Sequence, residues 1–274
     1  MPDIAHILIS VVSGFAVGIL SGVLGIGGGS LFAPLCRLVL GLPVESATAT
    51  SLFAIMPTSA TGAFVHFKNK TCIVKLAVLM GIGGASTSAL GVYLNLLSPS
   101  WLVMLTAACI LLYTSGNMFT KAFKMKKAIA TTQPQLKKEE RIDPASIKFT
   151  PKSYVQAILT GALAGLLAGY VGVGGGFILI PVSMALFGIP MIVASGTSLL
   201  AIIILALPAL AEQAMSGHID FLVGLVVSLG SVPGAYFGSK IASKVPEQKL
   251  RVSFGIFLIF AAALLVLNET LLAH

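Results

Sequence analysis

The chain has 274 residues, of which 57% are hydrophobic and only 9% charged, with a net charge of +8. A water-soluble domain carries about 25% charged residues, so a soluble globular fold is excluded. The bilayer is the solvent that fits this composition, and the basic excess becomes a question of where it sits.

The first apolar run, Ala5–Leu24, is long enough to span, because a helix crossing about 30 Å of hydrocarbon needs about 20 residues. It is read as a retained membrane helix rather than a signal peptide: Asp3 stands where a basic n-region would be, and no A-x-A site follows. Gly25-Ile26-Gly27-Gly28-Gly29 comes next, a run that weakens any helix. Ser30–Leu40 is apolar but reaches only about 16 Å as a helix, roughly half the hydrocarbon. Gly41-Leu42-Pro43 breaks the chain again, and Thr48-Ala49-Thr50-Ser51 follows. The loop Phe67–Lys75 carries Lys68, Lys70 and Lys75. Cys72–Leu97 and Trp101–Thr120 are further spans, separated by the uncharged Ser98-Pro99-Ser100.

Between Lys121 and Lys152 lie nine of the 17 basic residues, opposed only by Glu139, Glu140 and Asp143. With Thr131-Thr132-Gln133-Pro134 and Asp143-Pro144, this reads as a polar cytoplasmic linker that also meets anionic lipid headgroups. No nucleic-acid partner is expected.

Beyond the linker the pattern returns at an offset of 147 residues. Tyr154–Val171 is the next span, then Gly172-Val173-Gly174-Gly175-Gly176, the short Phe177–Phe187, Gly188-Ile189-Pro190, and Ser195-Gly196-Thr197-Ser198. Gly22, Pro34, Gly41, Pro43, Ala47, Thr50, Ser51 and Leu52 fall on Gly169, Pro181, Gly188, Pro190, Ala194, Thr197, Ser198 and Leu199. Phe221–Ile241 and Leu250–Leu267 complete the spans. The basic residues swap loops between the copies. Ala214–Asp220, the counterpart of Phe67–Lys75, has no Lys or Arg, whereas Lys240–Arg251, the counterpart of Ser98–Ser100, carries Lys240, Lys244, Lys249 and Arg251. By the positive-inside rule the two copies are oppositely oriented, with both termini outside.

The expected fold is an all-α polytopic membrane protein of two inverted-topology repeats, with roughly eight to ten membrane segments, including short broken or re-entrant helices. The boundaries are 1–120 for the N-terminal repeat, 121–152 for the linker and 153–274 for the C-terminal repeat. Charge parity requires an odd number of crossings between the N-terminus and Phe67: either one crossing with a re-entrant hairpin, or three.

Inverted repeats with paired, interrupted hydrophobic segments point to a transporter site between the halves. Glycine N–H groups converge as an anion-binding nest, and a helix beginning at Ser30 or Phe177 adds donors and a positive dipole end. The expected substrate-binding set is therefore Gly27, Gly28, Gly29, Ser30, Thr50 and Ser51, with Gly174, Gly175, Gly176, Thr197 and Ser198 from the second copy. The competing reading is that these glycines merely permit close helix packing. A dinucleotide loop with Glu45 as its acid is rejected, since there is no βαβ unit and the second copy has Ile192 instead.

Charged and polar groups in the membrane are candidates for anion or coupling contacts: Arg37, Glu45, His66 and Gln213. Arg37 has the alternatives of snorkelling or pairing with Glu45. Glu45 suits the first turn of a helix. His66, beside Lys68 and Lys70, is read as interfacial, and proton coupling is the sharper alternative. Glu212, His218 and Asp220 are read as solvated, and Cys36 as a buried apolar filler. The cysteines, Cys36, Cys72 and Cys109, show no metal or disulfide spacing. No catalytic set such as Ser–His–Asp or HExxH occurs, so the chain is not read as an enzyme, and no cofactor or metal is expected.

The pattern Gly-Ile-Gly-Gly-Gly, Pro34, Gly-Leu-Pro and Ala47-Thr48-Ala49-Thr50-Ser51-Leu52, repeated as Ala194-Ser195-Gly196-Thr197-Ser198-Leu199, resembles the sulfite exporter TauE/SafE family over nearly the whole chain outside the linker. The resemblance implies a prokaryotic cytoplasmic-membrane transporter for small sulfur-containing anions, such as sulfite or organosulfonates. The leading expectation is a secondary transporter, an exporter working by alternating access and driven by an ion gradient, with the proton as coupling ion, or by the membrane potential. The alternatives are an anion channel of the same fold, a transporter of another small anion, and a membrane assembly protein without flux.

Overall fold

The computed structural model describes residues 4–131, 151–171 and 175–272. Ten α-helices follow one another: α1 Ile4–Leu24, α2 Gly29–Pro34, α3 Val44–Lys68, α4 Val74–Leu97, α5 Ser100–Thr131, α6 Pro151–Val171, α7 Gly176–Phe187, α8 Met191–Met215, α9 Phe221–Ala242 and α10 Glu247–Leu272. Among the described residues there is no strand. Among the described residues, five helices are long and apolar enough to cross a membrane, in the stretches His6–Leu24, Val74–Asn95, Pro151–Tyr170, Met191–Met215 and Phe221–Ala242. The stretch in α8 was not among the runs picked from sequence, because Ser195-Gly196-Thr197-Ser198 interrupts its apolar pattern while remaining helical. α5 carries on to Thr131, so helix enters the segment assigned to the linker.

Polarity is distributed as lipid demands. Leu8, Val12, Leu159 and Leu229 are exposed, whereas Ser21, Thr58, Ser59, Ser195 and Ser231 are buried. A soluble bundle would reverse this. In lipid, small polar residues face neighbouring helices and let their backbones close up.

Two glycine seams hold the bundle. A Cβ on Gly14, Gly18 or Gly22 of α1 would collide with the carbonyl oxygens of Val227, Ser231 and Ala235 on α9. Gly161, Gly165 and Gly169 of α6 meet Met80, Gly84 and Ser88 of α4 in the same way. Residue numbers rise together along both seams, so α1 is parallel to α9, and α6 to α4.

Further contacts fix the remaining directions. Gly224 faces Phe53, and Thr58 Oγ1 lies 2.6 Å from Ser231 Oγ, which makes α3 parallel to α9. Gly62 faces Leu199 and Gly196 faces His66, which makes α3 antiparallel to α8. Thus α1, α3 and α9 point one way, and α4, α6 and α8 the other. Each repeat pair, α1/α6, α3/α8 and α4/α9, is oppositely directed, which is the inverted topology read from the swapped loops.

Because α1 and α3 are parallel, the chain must travel back between them. It does so through α2, a π-helical turn at Leu35–Val39 and Gly41-Leu42-Pro43. Of the two crossing counts that charge parity allowed, the structure has three passes. The expected segment Ser30–Leu40 is therefore only partly α-helical, and it changes to π geometry just after Pro34, whose ring nitrogen has no N–H to give to a ladder. The second copy is an uninterrupted α7.

These directions bring the basic segments to one end of the bundle. The α3–α4 turn, the end of α5, the start of α6 and the α9–α10 turn all lie there. At the other end are the α4–α5 turn, the α8–α9 turn with Asp220, and Pro43 with Glu45. The α5/α10 pair stands alongside, joined by a hydrogen bond from Ser115 Oγ to Gly255 O at 2.9 Å.

Candidate functional site between the two directions

The first glycine run is a sharp turn at the end of α1. The Gly25 N–H donates to Ser21 O at 2.7 Å and closes the helix. Gly27 and Gly28 then take φ of 76° and 86°, a left-handed backbone that disfavours any side chain. The Gly28 carbonyl accepts from the N–H groups of Leu31 at 3.0 Å and Phe32 at 2.9 Å, starting α2. Gly27, Gly28, Gly29 and Ser30 are all buried, and Gly29 and Ser30 form the first positions of α2. The first N–H groups of a helix have no intrahelical acceptor, so the buried start of α2 is where backbone donors face the turn.

Of the second run, Gly175 and Gly176 are described. Gly175 has ordinary right-handed geometry, φ −79° and ψ −8°, and begins α7. Gly176 is pressed against the Ile26 backbone, where a Cβ would lie 2.7 Å from the Ile26 Cα. The two glycine runs therefore touch at Gly176 and Ile26. Gly174 lies outside the described residues.

The threonine–serine pairs sit elsewhere than expected. The Thr50 hydroxyl accepts from the Asp220 N–H at 3.0 Å, and the Thr197 hydroxyl from the Ile73 N–H at 3.1 Å. These are repeat-equivalent bonds, each joining one half to the other, and they lie at opposite ends of the bundle. Sequence spacing suggested that both threonines face one anion. The structure instead uses each to fix the first turn of a helix in the other half, at α9 and α4. The Ser51 hydroxyl donates to Thr48 O at 2.8 Å. Thr197→Val leaves the buried Ile73 N–H without its acceptor, and the expected loss is about 1–3 kcal/mol, read as a lower melting temperature of the purified protein with transport affinity unchanged.

Ser198 is different. It is buried, and its hydroxyl has no partner. It shares a face of α8 with Ser195, whose hydroxyl donates to Leu24 O at 3.1 Å, and with Ile202, which touches Gly27. The first glycine turn is thus covered by the Ser195–Ile202 face of the other half, not by its own Thr50-Ser51.

His66 lies in the last turn of α3 beside Lys68, at the level the interfacial reading gave it, but it is turned into the protein and only 1% exposed. Gly196 makes room for it; a Cβ there would lie 2.7 Å from His66 Cβ. Its Nδ1 lies 2.9 Å from Thr71 Oγ1, while Nε2 has no partner. Gln213, its repeat mate, instead lies near the other end, with its Oε1 3.2 Å from His218 Nδ1. His218 Nε2 approaches Glu45 Oε2 at 3.7 Å. Glu45 has an 80% exposed side chain, and Asp220 caps α9 by accepting from Val223 N at 3.0 Å. Arg37 lies on the π turn and, among the described residues, forms no ion pair with Glu45 or any other acid. Arg37, Glu45 and Gln213 are therefore not gathered at the glycine turn. Cys36 is fully buried, as its filler role requires.

Two residues escaped sequence reasoning. Ser59 of α3 is fully buried with an unpartnered hydroxyl, 2.9 Å from where a Gly27 Cβ would be. Ser21 of α1 is also buried and unpartnered. Their repeat mates are Ala206 and Ala168, so a search for matched motifs passes over them; Ser21 is a lone serine in an apolar run, and Ser59 stands in the polar cluster Thr58-Ser59-Ala60-Thr61.

A helical membrane protein whose two halves interlock in opposite directions around a buried polar turn has the build of a membrane transporter. The chain belongs to the Sulfite exporter TauE/SafE family, whose model matches residues 10–265. It is 28% identical over 254 residues to the "Probable membrane transporter protein YdhB" of Bacillus subtilis, covering 92% of this chain and 96% of that one. It is 31% identical over 257 residues to the "Probable membrane transporter protein YunE" of the same organism, covering 88% and 89%. The Arabidopsis thaliana "Sulfite exporter TauE/SafE family protein 3" is 26% identical over 166 residues, which are 55% of this chain and 33% of the plant protein.

Proposed function

We propose that this protein is a secondary transporter that exports a small sulfur-containing oxyanion, such as sulfite or an organosulfonate, across the cytoplasmic membrane by alternating access. The observation that carries the reading is the buried glycine turn: a left-handed Gly27-Gly28 backbone beside the unpartnered hydroxyls of Ser59 and Ser198, enclosed by helices of opposite direction. Donors arranged in this way solvate an anion without placing a full positive charge in the membrane. The family's description supports the sulfur class. The basic end faces the cytoplasm on the positive-inside rule, which puts both termini outside. A negative-inside potential then favours anion exit by about 2.3 kcal/mol per charge per 100 mV.

The bodies that move are not the two sequence halves. The glycine seams join α1 to α9 and α4 to α6, and the Thr50 and Thr197 bonds join α3 to α9 and α8 to α4. One body is α1, α3 and α9, the other α4, α6 and α8, and they meet at the α3/α8 face beside the glycine turn.

Proteoliposomes loaded with labelled sulfite under a set potential test the reading. The expected result is saturable efflux, with counterflow when unlabelled sulfite is added on the other side. Efflux that rises without saturation or counterflow would make the protein a channel, and an absence of oxyanion movement would overturn the transport reading.

A further inference from the structure

The duplication of the glycine motif suggests two equivalent half-sites. We infer instead that the anion site is one-sided, formed by the glycine turn of the first copy with the hydroxyls of Ser59 and Ser198. The inference rests on the transport reading above and specifies its site.

Among the described residues, four side chains bury a polar atom that has no partner: Ser21, Ser59, His66 and Ser198. The first two correspond to Ala168 and Ala206, which have no polar atom to offer. The third corresponds to Gln213, which is spent on His218. The fourth corresponds to Ser51, whose hydroxyl is spent on Thr48 O. The glycines diverge in the same sense. Gly27 and Gly28 are left-handed, whereas Gly175 is right-handed and Gly176 is packed onto Ile26. Around the first glycine turn Ser59 and Ser198 present unsatisfied hydroxyls; their repeat mates, Ala206 and Ser51, are apolar or filled.

An unsatisfied buried hydroxyl is costly, typically about 1–3 kcal/mol, and native structures hold few of them. Ser59 Oγ stands beside Gly27, and Ser198 lies on the α8 face that covers the same turn. Backbone N–H groups on one side and two hydroxyls from α3 and α8 on the other surround one small acceptor. That acceptor is a compact oxyanion, able to receive hydrogen bonds from several directions. Since Ser59 and Ser198 belong to different moving bodies, both reach the anion only while α3 and α8 are together.

The full-length protein in proteoliposomes and in detergent tests this, with sodium sulfite and sodium sulfate as the probes. Ser59→Ala and Ser198→Ala are each expected to raise KM for sulfite by about tenfold, the loss of one hydrogen bond to a charged group. Each is also expected to abolish the sulfite-induced rise in melting temperature, while leaving the melting temperature without anion unchanged or higher. That last sign separates a ligand-binding hydroxyl from a structural one, whose removal lowers stability. Gly175→Ala is expected to change KM less than twofold. Ser228→Ala, which removes a buried hydroxyl already satisfied by Gly224 O, serves as the control for both readouts.

The site is overturned if either serine variant keeps KM within twofold of the parent, or if Gly175→Ala raises it as much as they do. If sulfite does not move but sulfate stabilises the parent and neither serine variant, the site stands and the sulfur-export reading falls. If neither anion stabilises the parent, the site falls too.

Discussion

Oxidation of a Gly62→Cys/Leu199→Cys pair stops transport, and reduction restores it. The expectation follows from which helices the packing ties together. Gly62 on α3 faces Leu199 on α8, and a Cβ at residue 62 would lie 2.8 Å from a Leu199 methyl carbon. Shortening Leu199 to cysteine makes room for the new Cβ, and a disulfide needs its Cβ atoms about 3.5–4.5 Å apart. The bridge would clamp the α1–α3–α9 body to the α4–α6–α8 body at the face beside the glycine turn. The matched control is Phe53→Cys/Gly224→Cys. There a Cβ on Gly224 would lie 2.7 Å from the Phe53 ring, and the bridge joins α3 to α9 within one body. With Cys36, Cys72 and Cys109 replaced by alanine, the first pair should fall to below about a tenth of its reduced rate when oxidised, and the second should keep its rate. Rocking of the N-terminal half against the C-terminal half predicts the reverse for the control, because α3 and α9 come from different halves. Equal inhibition by both bridges would remove the assignment of moving bodies.

The inverted repeat was legible because it is written in two independent alphabets. Glycine and proline punctuation recurs at fixed spacing, and Lys68, Lys70 and Lys75 answer to Lys240, Lys244, Lys249 and Arg251 in non-equivalent loops. The interlocking of the halves was not legible. Gly14, Gly18 and Gly22 announce a close helix contact, but glycine has no side chain with which to specify a partner, and α9 carries the same signal as α4. The site was half legible for the same reason. Repetition directed attention to Thr50 and Thr197, and repetition marks what both copies need, here the hydrogen bond that starts a helix in the opposite half. A function performed by one copy breaks the repeat, as Ser59 against Ala206 does, and single-sequence matching discards such differences. The burial of His66 depended on Gly196, a contact across 130 residues between helices whose pairing the sequence did not reveal.

Gly18→Leu is expected to prevent assembly of the bundle altogether. A Cβ at residue 18 would lie 2.7 Å from the Ser231 Cα and closer still to its carbonyl oxygen. The obstruction is backbone, which no rotamer change removes. Gly230, Gly234 and Gly238 of α9 meet Val11, Phe15 and Ile19 of α1 in the same way, so the seam is closed from both sides. Leucine at its centre forces the two helices apart along the whole contact. In lipid there is no hydrophobic gain to hold them, because the tails are as apolar as the side chains. Overpacking a core typically costs about 1–3 kcal/mol; a backbone collision at a seam of this length exceeds that range. Loss of the monodisperse peak in fluorescence-detected size exclusion is the expected readout. Gly116→Leu is the control, since nothing lies within 4 Å of a Cβ at that α5 position, and it should elute as the parent does. Gly165→Leu should fail like Gly18→Leu, its Cβ colliding with Gly84 of α4. The paired outcome carries a consequence for the halves. If each seam is indispensable, residues 1–131 cannot fold alone, because the surface α1 is shaped to fit belongs to a helix synthesised two hundred residues later.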